Sequence, residues 1–168
     1  MDVSEIMLKM IRYSNGNHHD INHFMKVYAY AKTIAECENI SPDEQKTVEI
    51  AAIIHDIACP LCREKYGNTN GKYQEAEGMI LAREFLKDTG LPPEMTERIV
   101  FLVGHHHTLQ NVNGIDYQIL LEADYLVNAD ESKYTEKNVR NTMENMFKTQ
   151  TGTALLKAVY NVTSSLRL

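Results

Sequence analysis

Apolar residues recur at helical spacing along most of the chain. Ile6, Met7, Met10 and Ile11 mark the inner face of a first helix, with Ser4 as its cap and Asn15-Gly16-Asn17 as the turn that ends it. A long helix is expected from about His19 to Glu38. Ser41-Pro42-Asp43-Glu44 is a strong start signal: a hydroxyl cap, proline in the first turn, and glutamate three residues after the cap. The helix it opens should run to about Ile57. The stretch from Cys59 to Gly71 reads as a long loop, a type often tied to function. Gly71 to Thr89 reads as a helix with Met79, Ile80, Phe85 and Leu86 inward. Gly90-Leu91-Pro92-Pro93 breaks it and starts another, in which Ile99, Val100, Leu102 and Val103 lead to a run of histidines. After a turn at Asn111 to Gly114, helices are expected at about Tyr117 to Ala129, Thr135 to Lys148 and Thr153 to Ser164. No strand-like alternation or hairpin signal interrupts this pattern. The expected fold is an all-α, single-domain helical bundle over residues 1–168, with no internal repeat or linker.

Three polar anomalies stand out against these apolar faces. His55-Asp56 sits inside Ala51-Ala52-Ile53-Ile54-His55-Asp56-Ile57-Ala58, where every neighbour favours burial. A buried carboxylate is costly unless it is paired or coordinates a metal. His23 shares a helical stripe with Val27 and Ala31. Asp124 shares one with Leu120, Leu121 and Val127. A buried His–Asp hydrogen bond is the simpler account of the pair alone. Three anomalies of ligand type on three helices are accounted for together by one metal site of His23, His55, Asp56 and Asp124. Adjacent helical residues point roughly 100° apart, so His55 and Asp56 can share an ion only at a helix end.

The order His23, His55-Asp56, Asp124 on successive helices resembles the HD-domain superfamily of metal-dependent phosphohydrolases. The resemblance extends to His23 through Ala31, Ala51 through Ala58, Gly71-Lys72-Tyr73-Gln74-Glu75-Ala76-Glu77-Gly78, Val103-Gly104-His105-His106-His107 and Glu122-Ala123-Asp124-Tyr125. It looks like an uncharacterised bacterial branch, with a ligand-bearing core at about residues 19–130 and C-terminal helices at about 135–164. It implies hydrolysis of a small phosphomonoester or nucleotide through a metal-activated water, with Asp56 as both ligand and orienting group. Mixed nitrogen and oxygen ligands suit Mn, Fe, Co, Ni or Zn. Two other outcomes stay open: an iron-dependent oxygenase of the same superfamily, and a non-catalytic domain stabilised by its metal.

In two-metal members, histidines at the place of His105-His106-His107 bind a second ion, and a further histidine precedes the glycine of the previous helix by four. That position is Gln74 here, a poor transition-metal ligand, so one firm ion is expected and a weaker second. His105 and His106 would then contact phosphate or donate a proton. Lys65 and Lys72, flanking the loop after the pair, are the candidate phosphate clamp.

Composition fits this reading. Hydrophobic residues make up 43% and charged residues 24%, close to globular averages. The formal net charge of −6, without a basic patch, speaks against binding long nucleic acid. No stretch is long and apolar enough for a membrane span, and the N-terminus lacks the order of a secretory signal, so the cytoplasm is expected. Cys59-Pro60-Leu61-Cys62 follows a helix and has no second pair, so its thiols read as incidental and reduced. Met and Tyr residues on the last helices leave room for a homodimer.

Overall fold

A computed structural model describes residues 1–162, and among these described residues there are nine helices. They are α1 (Val3–Tyr13), α2 (His18–Cys37), α3 (Pro42–Ile54), α4 (Cys59–Tyr66), α5 (Gly71–Leu86), α6 (Pro93–Val103), α7 (Ile115–Glu131), α8 (Glu136–Asn145) and α9 (Gln150–Tyr160). No strand occurs among the described residues.

Helix α3 is the centre of the bundle. The Ser41 hydroxyl accepts from the Glu44 backbone N–H at 3.2 Å, and the Glu44 carboxylate accepts from the Ser41 N–H at 3.1 Å, a complete capping box. Beyond that polar first turn, Val48 and Ile50 through Ile54 are fully buried. A helix that is apolar on every side must be enclosed by others. Here α2, α7, α6 and α1 pack around it. α2 also packs on α7, so the three helices that carry the expected ligands are mutual neighbours. α5 lies on α6, α4 on α5, α9 packs on α7 and α2, and α8 packs on α9. The core includes Phe24, Val27, Ile53, Ile99, Leu102 and Leu120, each worth about 1.5–3 kcal/mol when buried.

Several boundaries differ from the periodicity. The first helix is capped by Asp2, not Ser4, again with a capping box to Glu5. α3 ends at Ile54 rather than Ile57, because tight turns from Ile57 N–H to Ile54 C=O and from Cys59 N–H to Asp56 C=O redirect the chain. The segment expected as a loop from Cys59 begins with the two-turn helix α4, with Pro60 in its first turn and Gly67 at φ 68° closing it. α4 buries Cys59 and Cys62. Ile80, expected inward, is 66% exposed, because α5 turns Gly78, Ala82 and Phe85 to the core instead. The last helix starts earlier than expected, at Gln150 under a Thr149 cap, and ends at Tyr160. The expected end at Ser164 lies outside the described residues.

Candidate metal centre

The turn at the end of α3 places His55 and Asp56 where two adjacent residues can face one point. His23 comes to that point from α2 and Asp124 from α7. His23 Nε2 lies 3.2 Å from His55 Nε2, 3.2 Å from Asp124 Oδ1 and 3.5 Å from Asp56 Oδ2. His55 Nε2 lies 3.4 Å from Asp124 Oδ1 and 3.7 Å from Asp56 Oδ2. Two imidazole nitrogens this close need a proton or a cation between them, since both cannot present lone pairs to each other.

The far side of each ring is anchored. His55 Nδ1 is 2.8 Å from the Ala52 carbonyl, and His106 Nδ1 is 2.8 Å from the Val103 carbonyl. A carbonyl only accepts, so Nδ1 carries the proton in both rings, and in the neutral rings Nε2 offers its lone pair to the cluster. His23 Nδ1 is 2.8 Å from Glu131 Oε2, and Lys26 Nζ holds the other oxygen of Glu131 at 2.9 Å. Asn128 Nδ2 donates to Asp124 Oδ1 at 2.8 Å. This is how metal-binding histidines and carboxylates are normally oriented.

The electrostatics are those of ligands crowded together. Burial opposes charge on His23, yet its hydrogen bond to Asp124, the negative charges of Asp56 and Asp124 and its hydrogen bond to Glu131 prevail and push its pKa up to about 9. Burial would raise the Asp124 and Asp56 carboxyls, but the surrounding imidazoles hold both well below the usual carboxylate range. Both carboxylates are therefore ionised, as ligands must be.

Asp56 also faces a second group. Its Oδ1 is 3.3 Å from His106 Nε2, and that buried nitrogen has no hydrogen bond of ordinary geometry. One donor atom from each of Asp56, His106 and His107 falls within 4.8 Å of the others, as does one from each of His23, His55 and Asp56. Partial desolvation and the charge of His106 lower the His107 pKa to about 4 although the residue keeps an exposed edge, so its ring is neutral near pH 7. An orphaned imidazole nitrogen and two overlapping donor sets that share one carboxylate fit metal ions well. Gln74 borders this second group: its Nε2 donates to the Thr69 carbonyl at 2.8 Å and its Oε1 accepts from the Cys59 thiol at 3.3 Å. Burial and the Asp56 charge raise the Cys59 pKa, so the thiol stays protonated and is a poor ligand. Gly71 at the start of α5 lies so close to His107 that a Cβ there would meet the ring at 2.8 Å.

The cluster forms the floor of a polar bay of about 210 Å³, bordered by His19, Asp20, Arg63, Gln74, His107 and Glu131 among others. Of the other residues expected at the site, His106 belongs to it and His105 does not. His105 Nδ1 bonds the Phe101 carbonyl at 2.7 Å and its ring stacks on Phe101 at 4.1 Å. Lys65 Nζ is held by Glu77 at 2.5 Å and lies over the Tyr66 ring, and neither Lys65 nor exposed Lys72 borders the bay. Arg63 does border it, but pairs with Asp20. Asn128 and Glu131 were not among the residues expected at the site. They stand four and seven residues after Asp124, on the same helical face, and that spacing was their only signal.

The HD domain family model matches residues 20–140. No curated protein matches the chain. Among solved structures, a predicted HD superfamily hydrolase from an uncultured Thermotogales bacterium matches with a TM-score of 0.69 at 23% sequence identity, covering 94% of this chain and 84% of that one. That likeness bears on the fold. The family match spans the helices that carry His23, His55-Asp56, His106-His107 and Asp124, and with it the chain belongs to the HD domain family.

Proposed function

We propose that the protein is a metal-dependent phosphohydrolase acting on a small phosphomonoester. The observation that carries this reading is Asp56, whose two oxygens face different donor sets: Oδ2 toward His23 and His55, Oδ1 toward His106. When bound there, a divalent ion supplies an acidified water and polarises a phosphoryl oxygen. His23, His55, Asp56 and Asp124 would hold the ion, and Asp56, with its second oxygen toward His106, would orient the water. Asp124 and the three inward Nε2 atoms complete the donor shell, and Glu131 and Asn128 hold it in place. Among the described residues bordering the bay, Arg63 is the one lysine or arginine, and Asp20 occupies it. Negative charge on the substrate is therefore met at the cluster rather than by a lysine clamp, which suits a single phosphate better than a polyphosphate chain. Among the described residues no helix is long and apolar enough to cross a membrane.

The test is phosphate release from a panel of phosphomonoesters by protein loaded separately with Mn, Fe, Co, Ni and Zn. Activity should require the metal and disappear with a chelator. If no ester releases phosphate with any of these metals, the hydrolase reading gives way to oxygen activation or to a binding role.

A further inference from the structure

The donor cluster opens on two sides, and only one is polar. Behind His107, Asp124 and Asn128, which also border the bay, lies an inner lobe of about 240 Å³ lined by Leu109, Leu121, Tyr125, Tyr134 and Met146. An outer lobe of about 390 Å³ adjoins it, with Leu109, Leu121 and Met146 common to both. Leu109 is 59% exposed and Tyr134 is 43% exposed, so large apolar side chains frame the mouth. The Tyr125 and Tyr134 rings lie 5.7 Å apart at 46°, and with the Met146 thioether they form a wall suited to a flat ring. Apart from a marginal interaction with Thr142, the buried Tyr125 hydroxyl has no hydrogen-bond partner among the described residues. That leaves a polar atom for a ligand to satisfy.

Charge is nearly absent from this side. Asp124 and the two histidines stand at the cluster end, and away from them the one charged lining residue is exposed Lys148 on the outer lobe. The outer rim is otherwise polar but neutral, through Gln118, Asn141, Thr142 and Asn145. Nothing in the lobes would offset a second anionic group held at depth, whereas an uncharged ring would leave water for apolar walls at both faces.

We infer that this two-lobed cavity is the specificity pocket, and that it takes an uncharged aromatic leaving group while the phosphate sits at the donor cluster. The inference rests on the phosphohydrolase reading for the position of the phosphate, but the cavity's preference for a neutral ring is separable from it. A small phosphate would leave the apolar walls unfilled, and a second anionic group would find only exposed Lys148 at the outer rim, so the substrate class is an aryl or aryl-bearing phosphomonoester.

The experiment is ligand binding to the zinc-loaded full chain, read by calorimetry and by the methyl resonance of Met146. The probes are methylphosphonate, phenylphosphonate and phenol. Phenylphosphonate should bind at least about tenfold more tightly than methylphosphonate, as expected for burying a ring. Phenol alone should shift the Met146 signal. Leu109→Asp, at an exposed position where folding is not at stake, should weaken phenylphosphonate selectively and abolish the phenol shift, and Tyr134→Ser should act in the same direction. Equal binding of the two phosphonates, with no response to phenol, would overturn the pocket and leave the phosphohydrolase reading standing. A phenol shift that Leu109→Asp removes, with neither phosphonate bound, would support the pocket and sink the phosphate reading.

Discussion

Glu131 Oε2 lies 2.8 Å from His23 Nδ1, on the side of the ring away from the donor cluster. The contact joins the C-terminal end of α7 to α2, and it fixes which nitrogen of His23 faces the cluster. A carboxylate here also raises the basicity of the ring. Glu131→Gln should weaken metal binding about 10–100-fold, with helical circular dichroism unchanged. Competition against a chromophoric chelator measures it. An unchanged affinity would show that the Ala52 and Val103 anchors of the other rings suffice without this one.

The cluster should be lost as a unit. His55→Ala and Asp124→Ala should each remove most bound metal while keeping the helical content, because the helices that carry them, α3 ending at His55 and α7 around Asp124, are held by apolar packing on other faces. Asp56→Ala should be the most severe, since both donor sets use it. Elemental analysis of purified variants decides this, and wild-type metal content in the Asp56 or Asp124 variant would refute the site.

His23 gives the metal-binding equilibrium a pH dependence of definite sign. Its pKa rises from 6.5 to about 9 in the metal-free folded chain. An incoming ion must displace that proton, so apparent affinity should climb about tenfold per pH unit and level off near pH 9. Folding stability of the metal-free protein runs the other way. A group with a raised folded pKa stabilises fully below its unfolded value, so this contribution is present below pH 6.5 and is lost as pH rises through about 9. Chelator competition and urea titration at several pH values test the two slopes. Equal metal affinity at pH 6 and pH 8 would contradict the protonated state of His23.

The four expected donors were legible because each interrupts an apolar run, His23 and Asp124 within a helix and His55-Asp56 at the end of one, where His23, His55 and Asp124 are buried. Glu131 was not, because it follows exposed Asp130 at a helix end, where acidic residues are ordinarily solvated. α4 was missed because eight residues containing Pro60 and two cysteines carry too few turns to show a period. His105 and His106 could not be told apart in a run of three. Their directions depend on how the chain leaves α6, where one ring stacks on Phe101 and the next turns to Asp56.

Glu122 is fully buried on α7, and its carboxylate accepts from the backbone N–H groups of Lys148 at 2.6 Å and Thr149 at 2.9 Å and from Gln118 at 2.7 Å. It ties the start of α9, and with it the α8 wall of the apolar cavity, to the core. Glu122→Ala would strand those donors and should cost roughly 2–4 kcal/mol. Chemical denaturation measures the loss. A change under about 0.5 kcal/mol would mean the α8–α9 turn is held by its apolar contacts alone.

Lys65 and Lys72 were the expected phosphate clamp, and neither borders the bay. Lys65→Ala should break its contact with Glu77 and leave the Michaelis constant for a phosphomonoester within about twofold, since exposed ion pairs contribute little. Lys72→Ala should do the same. A rise of tenfold in either variant would bring that lysine back as a substrate contact.

The second donor set is the sharper question. Asp56, His106 and His107 place three donor atoms together, and a paired site would hold its ions roughly 3.5–4 Å apart with Asp56 between them. Gln74 occupies the position where a fourth, strong donor would complete the set. Its amide is already committed, the nitrogen to Thr69 and the oxygen to the Cys59 thiol, and an amide oxygen binds transition metals weakly in any case. One tight ion per chain is therefore expected, with the second weak or partly occupied. Gln74→His should move the count toward two, because an imidazole at that buried position can turn a neutral nitrogen toward His106 and Asp56. Metal counting before and after dialysis, on the wild type and the variant, measures the difference. Two ions that survive dialysis in the wild type would overturn the argument and show that Asp56, His106 and His107 hold the second ion without help from position 74.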